Sequence, residues 1–455
     1  VICLMPNCCF LSETSRMLEI YRALVARGAR VCVVTHGGTH ERVLTDAGVP
    51  YDVIGAGWNR ARCEAFVRSI PGIGPPDQSM WSDDEIRAYV EAEAVYFREH
   101  AVRVAVTGWT LTALLSTRVV GIPLVTEHAG SMLPPVFERG LLPAPSGPVG
   151  MPLERWLPQP VRRRMFNAGA DRLSIYTGGF NRVADELGVP GVPSFPALML
   201  GDLSLVTDVP EVLGISREGI DSWTPRHPDR YRPGARLRYT GPLYAKLSVP
   251  VPERVERFLA GPGPIVYVAI TSSPPELVRA AVGALRPLHV RILVAATVHD
   301  LTDLEDENVH VAGVLPNHEV MPRVDLAVTA GGQGSVQAAL ASGIPLIGIP
   351  LQPEQDANVA FAERQGAARL VPQEAAGTSA LARSAQEMLA DPRYRENARR
   401  LQAAFAKVDG PGAAADAILE LTGEASGEDK GNGRPAQRLE AGGEIRARAA
   451  EHPTA

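Results

Sequence analysis

The chain is short of cysteine, of aromatic residues and of surplus charge, and each shortage closes a class of function. Five cysteines among 455 residues fall within the first 63 positions and never in C-x-x-C spacing. They cannot frame a disulfide scaffold or a structural zinc site, and are expected to be reduced thiols. A formal net charge of -6 gives no clustered basic surface for nucleic acid, so no nucleic-acid partner is expected. No apolar run approaches the roughly 18 residues that a membrane span needs. The chain opens on VICLM without the charged and apolar regions of a signal peptide, and a cytoplasmic location is the expectation.

What is present is a long alternation of strand and helix patterns. The length exceeds one ordinary core, so two domains of about 200 residues each are expected. The first series runs from a strand at Val1–Met5 through a helix at Glu13–Arg27 to strands at Arg30–Thr35, Val102–Thr107 and Pro123–Glu127. The second begins at Pro264 with IVYVAI and continues through HVRILVAA, NVHVAG, VDLAVT and PLIGIP. Short Val- and Ile-rich runs of this kind are typical of buried parallel strands. The fold class is therefore α/β, with two doubly wound, Rossmann-like domains facing a central cleft at the carboxyl ends of their strands. We expect a first domain over 1–220, a proline-rich linker over 221–260, a second domain over 261–395 and a terminal helical region over 396–422. The last helix is expected as one element, Arg393–Leu421. The stretch 423–455 has no aromatic residue and only Leu439 and Ile445 as large aliphatics, so it is expected to be disordered.

Chemistry concentrates in Val324–Asn358, VDLAVTAGGQGSVQAALASGIPLIGIPLQPEQDAN. It reads as a buried strand, a glycine turn, a helix and a second strand. Gly331, Gly332 and Gly334 allow the backbone to approach a ligand closely, and Ser335 stands where the helix is expected to begin. A helix amino terminus offers free N–H groups and a positive dipole end, which suits a diphosphate without a metal ion. Past the next strand, Glu354 and Gln355 are an acid and an amide placed to reach sugar hydroxyls. The combination points to a nucleotide-sugar site.

Other features have plainer readings. Ser82 and Glu85 form an S-x-x-E capping box that accounts for the acids Asp83, Asp84 and Glu85; no metal site is expected. Arg162, Arg163 and Arg164, near Trp156, read as a solvated helix face, and membrane contact is left open but not expected. Cys8 and Cys9 read as apolar packing.

The motifs ALVARG, YTGPL, VHVAGVLPN, TAGGQGS and GIPLIGIPLQPEQDAN occur in an order and spacing that resembles the family 1, macrolide-type glycosyltransferases of the GT-B fold, over roughly residues 1–420. The resemblance implies an inverting transferase, independent of metal or other cofactor. It would use a UDP- or dTDP-sugar as co-substrate and a small hydrophobic, aromatic or polyketide-like acceptor. The second domain would hold the donor and the first the acceptor. By position, Gly332, Gly334 and Ser335 match the phosphate loop, and Glu354 and Gln355 the pair that reads the sugar. Thr271 and Ser272 match the turn beneath the phosphates. Asn317 stands beside the nucleobase, and Val314 replaces the aromatic residue that stacks on it. Rival classes are a nucleotide-sugar epimerase of this fold and a non-catalytic helper of the same descent.

The departures from that pattern are specific. Ala330 stands where the family has a histidine before the glycines, and Ala338 where it has an acid for the ribose. The family's catalytic histidine falls on Ser12 and its partner acid near Thr107, so the usual dyad is absent. Two residues remain as candidates for the proton acceptor. Glu13 follows Ser12 at the start of the first helix, and His128 follows another strand end in VTEHAGSML. Trp109, directly after a strand end, is a candidate for stacking on the acceptor.

Overall fold

The computed structural model describes residues 1–69, 78–145, 156–244, 249–270, 273–297 and 299–423. Two parallel sheets organise them. The first contains β1 (Ile2–Leu4), β2 (Val31–Thr35), β3 (Asp52–Val53), β4 (Val104–Thr107), β5 (Leu124–His128), β6 (Leu203–Val206) and β7 (Arg236–Tyr239). Their spatial order is β3-β2-β1-β4-β5-β6-β7. The second contains β8 (Ile265–Ala269), β9 (Arg291–Ala295), β10 (Val309–Ala312), β11 (Leu326–Thr329), β12 (Leu346–Gly348) and β13 (Ala368–Leu370), in the order β10-β9-β8-β11-β12-β13.

The central strands have the composition their place demands. VAVT in β4 and LAVT in β11 are buried at every position, because helices cover both faces of a parallel sheet. In each sheet the strand order reverses once, between β1 and β4 and between β8 and β11. Chains leaving those strands diverge and open a crevice at their carboxyl ends, where ligands of doubly wound sheets bind. The two domains bring these ends together.

Two boundaries differ from the sequence reading. Strand β7 lies inside the stretch expected as linker, yet it pairs with β6 from Leu203↔Arg236 to Val206↔Tyr239. The first sheet therefore runs on to Tyr239; proline density at 225–233 marked a loop before an edge strand, not the change of domain. The single last helix is two, Pro392–Phe405 and Gly410–Thr422. Asp409 caps the second by accepting from Gly412 N–H at 3.0 Å, and Pro411, which cannot continue a helix ladder, sits in its first turn. That final helix leaves the second domain and packs its Ala414, Ala415, Ile418 and Leu419 against Met17, Leu18 and the first strands. The stretch expected to be disordered lies, from residue 424 onward, outside the described residues. The capping box is present: Ser82 accepts from Glu85 N–H and Glu85 accepts from Ser82 N–H.

Candidate active site

On the donor side, strand β11 ends at Thr329 and the chain turns through Ala330, Gly331 and Gly332 into the helix Gln333–Ala341. The helix starts two residues before Ser335. Gly331 has φ +83°, and a Cβ there would lie 2.6 Å from Val359 Cγ2 and 3.0 Å from the Gln355 carbonyl oxygen. Only glycine fits that turn. Gly332 caps the helix without a side-chain acceptor, and a Cβ on it would meet no atom within 4 Å. The space beside Gly332, at the start of the helix, is thus open. Across that space a Cβ on Gly334 would come within 3.8 Å of Ser12 Cβ, so the glycine loop of one domain faces the first loop of the other.

The helix Pro353–Arg364 supplies the side chains beside this turn. Glu354 accepts from Asn358 Nδ2 and from the backbone N–H of Gln333. Burial pushes its carboxyl up to about 7, against the pull of those bonds and of Arg16. The Glu354 carboxyl group therefore rests at the amino terminus of Gln333–Ala341. Gln355 is committed differently: its Oε1 accepts from Leu351 N–H at 2.8 Å, which holds the turn after β12. Asn358, which sequence reading left without a role, donates to the Gly331 carbonyl at 3.1 Å and accepts from Ser131 Oγ of the first domain at 2.6 Å. It lies one helical turn past Glu354, the spacing that would have flagged it. Gln337 donates to Asp208 Oδ1 at 3.1 Å and to the Thr207 carbonyl. Asp208 also accepts from Gly130 N–H at 2.8 Å, and burial raises its carboxyl to about 6.

Val314 is exposed just past β10, and Asn317 accepts from Tyr267 OH at 2.9 Å. Both lie past the carboxyl end of β10 (Val309–Ala312). Thr271 and Ser272 fall outside the described residues.

The acceptor side is built from buried charge. Glu13 has no exposed surface. Its Oε1 accepts from Gly108 N–H at 3.0 Å and Trp109 N–H at 2.9 Å, and its Oε2 from Asn7 N–H at 2.9 Å. Burial raises the carboxyl to about 8, with Glu127 adding to the rise and the backbone donors and Arg16 opposing it. One turn on, Arg16 Nε sits 2.8 Å from both oxygens of the fully buried Glu127. Three backbone donors saturate Glu13, an arrangement that ties the loop after β1 to the loop after β4. It favours a clamp over the proton acceptor expected from sequence. His128 is also buried, and its Nε2 has no partner. Burial and the neighbouring Arg16 lower it to about 3, so it stays neutral and is a poor home for a proton. Trp109 packs edge-on to His128 at 6.3 Å and against Phe10 at 5.9 Å; its ring is half-buried.

A small cavity lies behind that loop, lined by Asn7, Thr35, His36, Trp58, Trp81 and Thr112, among others. His36 follows β2 and stacks on Tyr89 at 4.1 Å and 15°. Its Nε2 lies 2.9 Å from Glu93 Oε1, off the line of a straight hydrogen bond. Glu93 is fully buried and also accepts from Thr112 Oγ and, at 2.5 Å, Ser116 Oγ. Sequence reading missed this pair because its members are 57 positions apart in the chain. The one local signal was a histidine directly after a strand end in VCVVTHGG.

The chain is similar to known glycosyltransferases. Residues 279–421 match the family profile described as Erythromycin biosynthesis protein CIII-like, C-terminal domain. A PGL/p-HBAD biosynthesis glycosyltransferase of Mycobacterium tuberculosis is 27% identical over 324 residues, 70% of this chain and 71% of that protein. The 4'-demethylrebeccamycin synthase of Lentzea aerocolonigenes is 32% identical over 161 residues, 35% of this chain and 38% of that protein. The chain is a glycosyltransferase of the GT-B fold. Solved structures agree on the fold of this glycosyltransferase. The glycotransferase of kitacinnamycin aligns with a TM-score of 0.62 at 20% identity, covering 92% of this chain and 97% of its own. The glycosyltransferase VinC in complex with DTDP aligns at 0.62 and 14% identity, covering 93% and 100%. The transferase contains no helix long and apolar enough to cross a membrane among its described residues.

Proposed function

We propose that the enzyme moves a sugar from a nucleoside diphosphate, dTDP or UDP, to a hydroxyl of a small hydrophobic acceptor, with inversion and without a divalent metal. The observation that carries this reading is the amino terminus of Gln333–Ala341, which has no side-chain cap from Gly332 and opens on free space there, facing Ser12 across the cleft. Free N–H groups and the helix dipole bind the departing diphosphate and stabilise its growing charge, which is the task a metal performs elsewhere. The relatives support the acceptor class by their names, and VinC was solved with DTDP.

The roles follow from position. Gly331 shapes the turn; Gly332, Gly334 and Ser335 present backbone to the phosphates. Glu354 leaves the helix terminus when the diphosphate arrives and turns to the sugar hydroxyls, while Gln355 holds the loop that lets it do so. Val314 and Asn317 flank the base; Ser12 and Trp109 line the acceptor's approach. The test is a pair of titrations on Glu354→Ala. Its affinity for dTDP-glucose should fall by about tenfold or more, the worth of one charged hydrogen bond. Its affinity for dTDP should hold or rise, because a competing carboxylate has gone. Equal losses for both ligands would contradict the sugar-reading role, and a complete loss of turnover on chelation, restored by magnesium, would contradict metal independence.

A further inference from the structure

We propose that the cavity beside His36 receives the acceptor hydroxyl, with His36 taking its proton and Glu93 holding the imidazole that does so. This rests on the transfer reaction given above and names the acceptor-side group that the reaction lacks.

Four observations carry it. The cavity is formed by residues following β1, β2 and β4 (Asn7, His36 and Thr110), at the point where the strand order reverses. That is the place where a doubly wound sheet presents a ligand. It has room for one water-sized group, which is the size of a hydroxyl and not of a whole acceptor. Its walls are the indoles of Trp58 and Trp81 and the hydroxyls of Thr110 and Thr112, so an apolar body is accommodated outside a polar tip. The floor is a buried histidine whose Nε2 faces a carboxylate at 2.9 Å. A neutral imidazole whose Nε2–H tilts into line with Glu93 would leave the lone pair on Nδ1, an acceptor for an incoming O–H.

The other candidates in the same loops are occupied or unsuited. Ser12 is not a base, three backbone donors saturate Glu13, and His128 has no acid partner and is held neutral. His36 alone among them is paired with a carboxylate that stabilises the imidazolium formed on proton transfer. The charged and titratable groups around it are Glu93 and Tyr89 from the helix Asp83–Glu99 and Glu41, whose Oε1 accepts from Gly38 N–H at 2.8 Å. The step balances: the acceptor oxygen bonds to the anomeric carbon as its proton passes to His36. The bond from that carbon to the diphosphate breaks, with the electron pair leaving on the phosphate oxygen. His36 is then a catalytic residue and Glu93 a positioning residue.

The experiment compares the full chain with His36→Gln and Glu93→Gln, using dTDP-glucose with 4-nitrobenzyl alcohol and with 4-nitrophenol. Melting temperature and dTDP affinity report folding and donor binding separately. His36→Gln should lower kcat with the alcohol by about 10²–10⁴-fold and with the more acidic phenol by less, while dTDP affinity holds. The wild-type rise of kcat with pH should vanish in His36→Gln and shift in Glu93→Gln, with Glu93→Asp restoring part of the rate. Alcohol transfer within about threefold of wild type in a folded His36→Gln would overturn the assignment. So would equal losses with alcohol and phenol. A wild type that binds dTDP but glycosylates neither compound would instead overturn the acceptor class on which the assignment rests.

Discussion

The two halves of the cleft are made of different materials. The donor half is backbone: a glycine turn, the open end of a helix and one strand beyond it. The acceptor half is side chain: Glu13, Arg16, Glu127, Glu93 and His36, buried and engaged with one another or with loop N–H groups. A backbone site tolerates changes that keep its dihedrals and fails when a Cβ appears in the wrong place. A site of buried charge fails when one partner loses its counterpart, because the group left behind stays desolvated.

The sharpest way to break that contrast is at Gly331. Gly331→Val forces a branched residue to φ +83° and drives its Cβ to 2.6 Å from Val359 Cγ2. A left-handed non-glycine costs about 1–3 kcal/mol before the clash is counted, so urea denaturation should show a loss at or above that range. A variant as stable as wild type would mean the turn can relax and the donor half is not fixed by backbone.

On the acceptor half, Glu13→Gln should cost about 1–3 kcal/mol, because its new amide must face Asn7 N–H with a donor. Its pH signature has a definite sign. The native carboxyl sits at about 8 against 4.5 for the free group. Between those values the folded protein binds the extra proton, so Glu13 makes stability fall as pH rises, levelling off above about 8. Melting temperature followed across that window should lose this component in Glu13→Gln. An unchanged profile would detach Glu13 from the clamp.

The smallest effect is expected where the halves are joined. Arg27 pairs with Asp416 on the returning terminal helix at 2.6 Å, but both side chains are substantially exposed. Arg27→Ala should change stability by no more than about 1 kcal/mol, since Ala414, Ile418 and Leu419 carry that contact. A larger loss by denaturation would show the ion pair, not the apolar face, docking the helix.

The same difference in materials decides what the sequence could tell. TAGGQGS announces its turn because glycine spacing and helix pattern are local, and the two sheets were legible from short Val/Ile runs for the same reason. The strands Asp52–Val53, Leu203–Val206, Arg236–Tyr239 and Ala368–Leu370 were not, since they are short, polar or charged residues interrupt them, and only pairing to a neighbour defines them. Glu13 was legible as a residue of the right loop, but its environment was not. Two of its three donors come from Gly108 and Trp109, about 95 positions away. His36 and Glu93 meet only because the helix Asp83–Glu99 packs over the end of β2, which no local pattern encodes.

The central claim is that the donor diphosphate sits on the backbone at the start of Gln333–Ala341, and Gly332 tests it most directly. A Cβ there meets nothing within 4 Å, so Gly332→Val should fold normally while its side chain fills the space the phosphates need. Calorimetric titration with dTDP, run beside a melting curve, separates the two effects. The account predicts an unchanged melting temperature and a fall in dTDP affinity of about a hundredfold or more, the loss of several charged hydrogen bonds at once. Wild-type dTDP affinity in a folded Gly332→Val protein would contradict it.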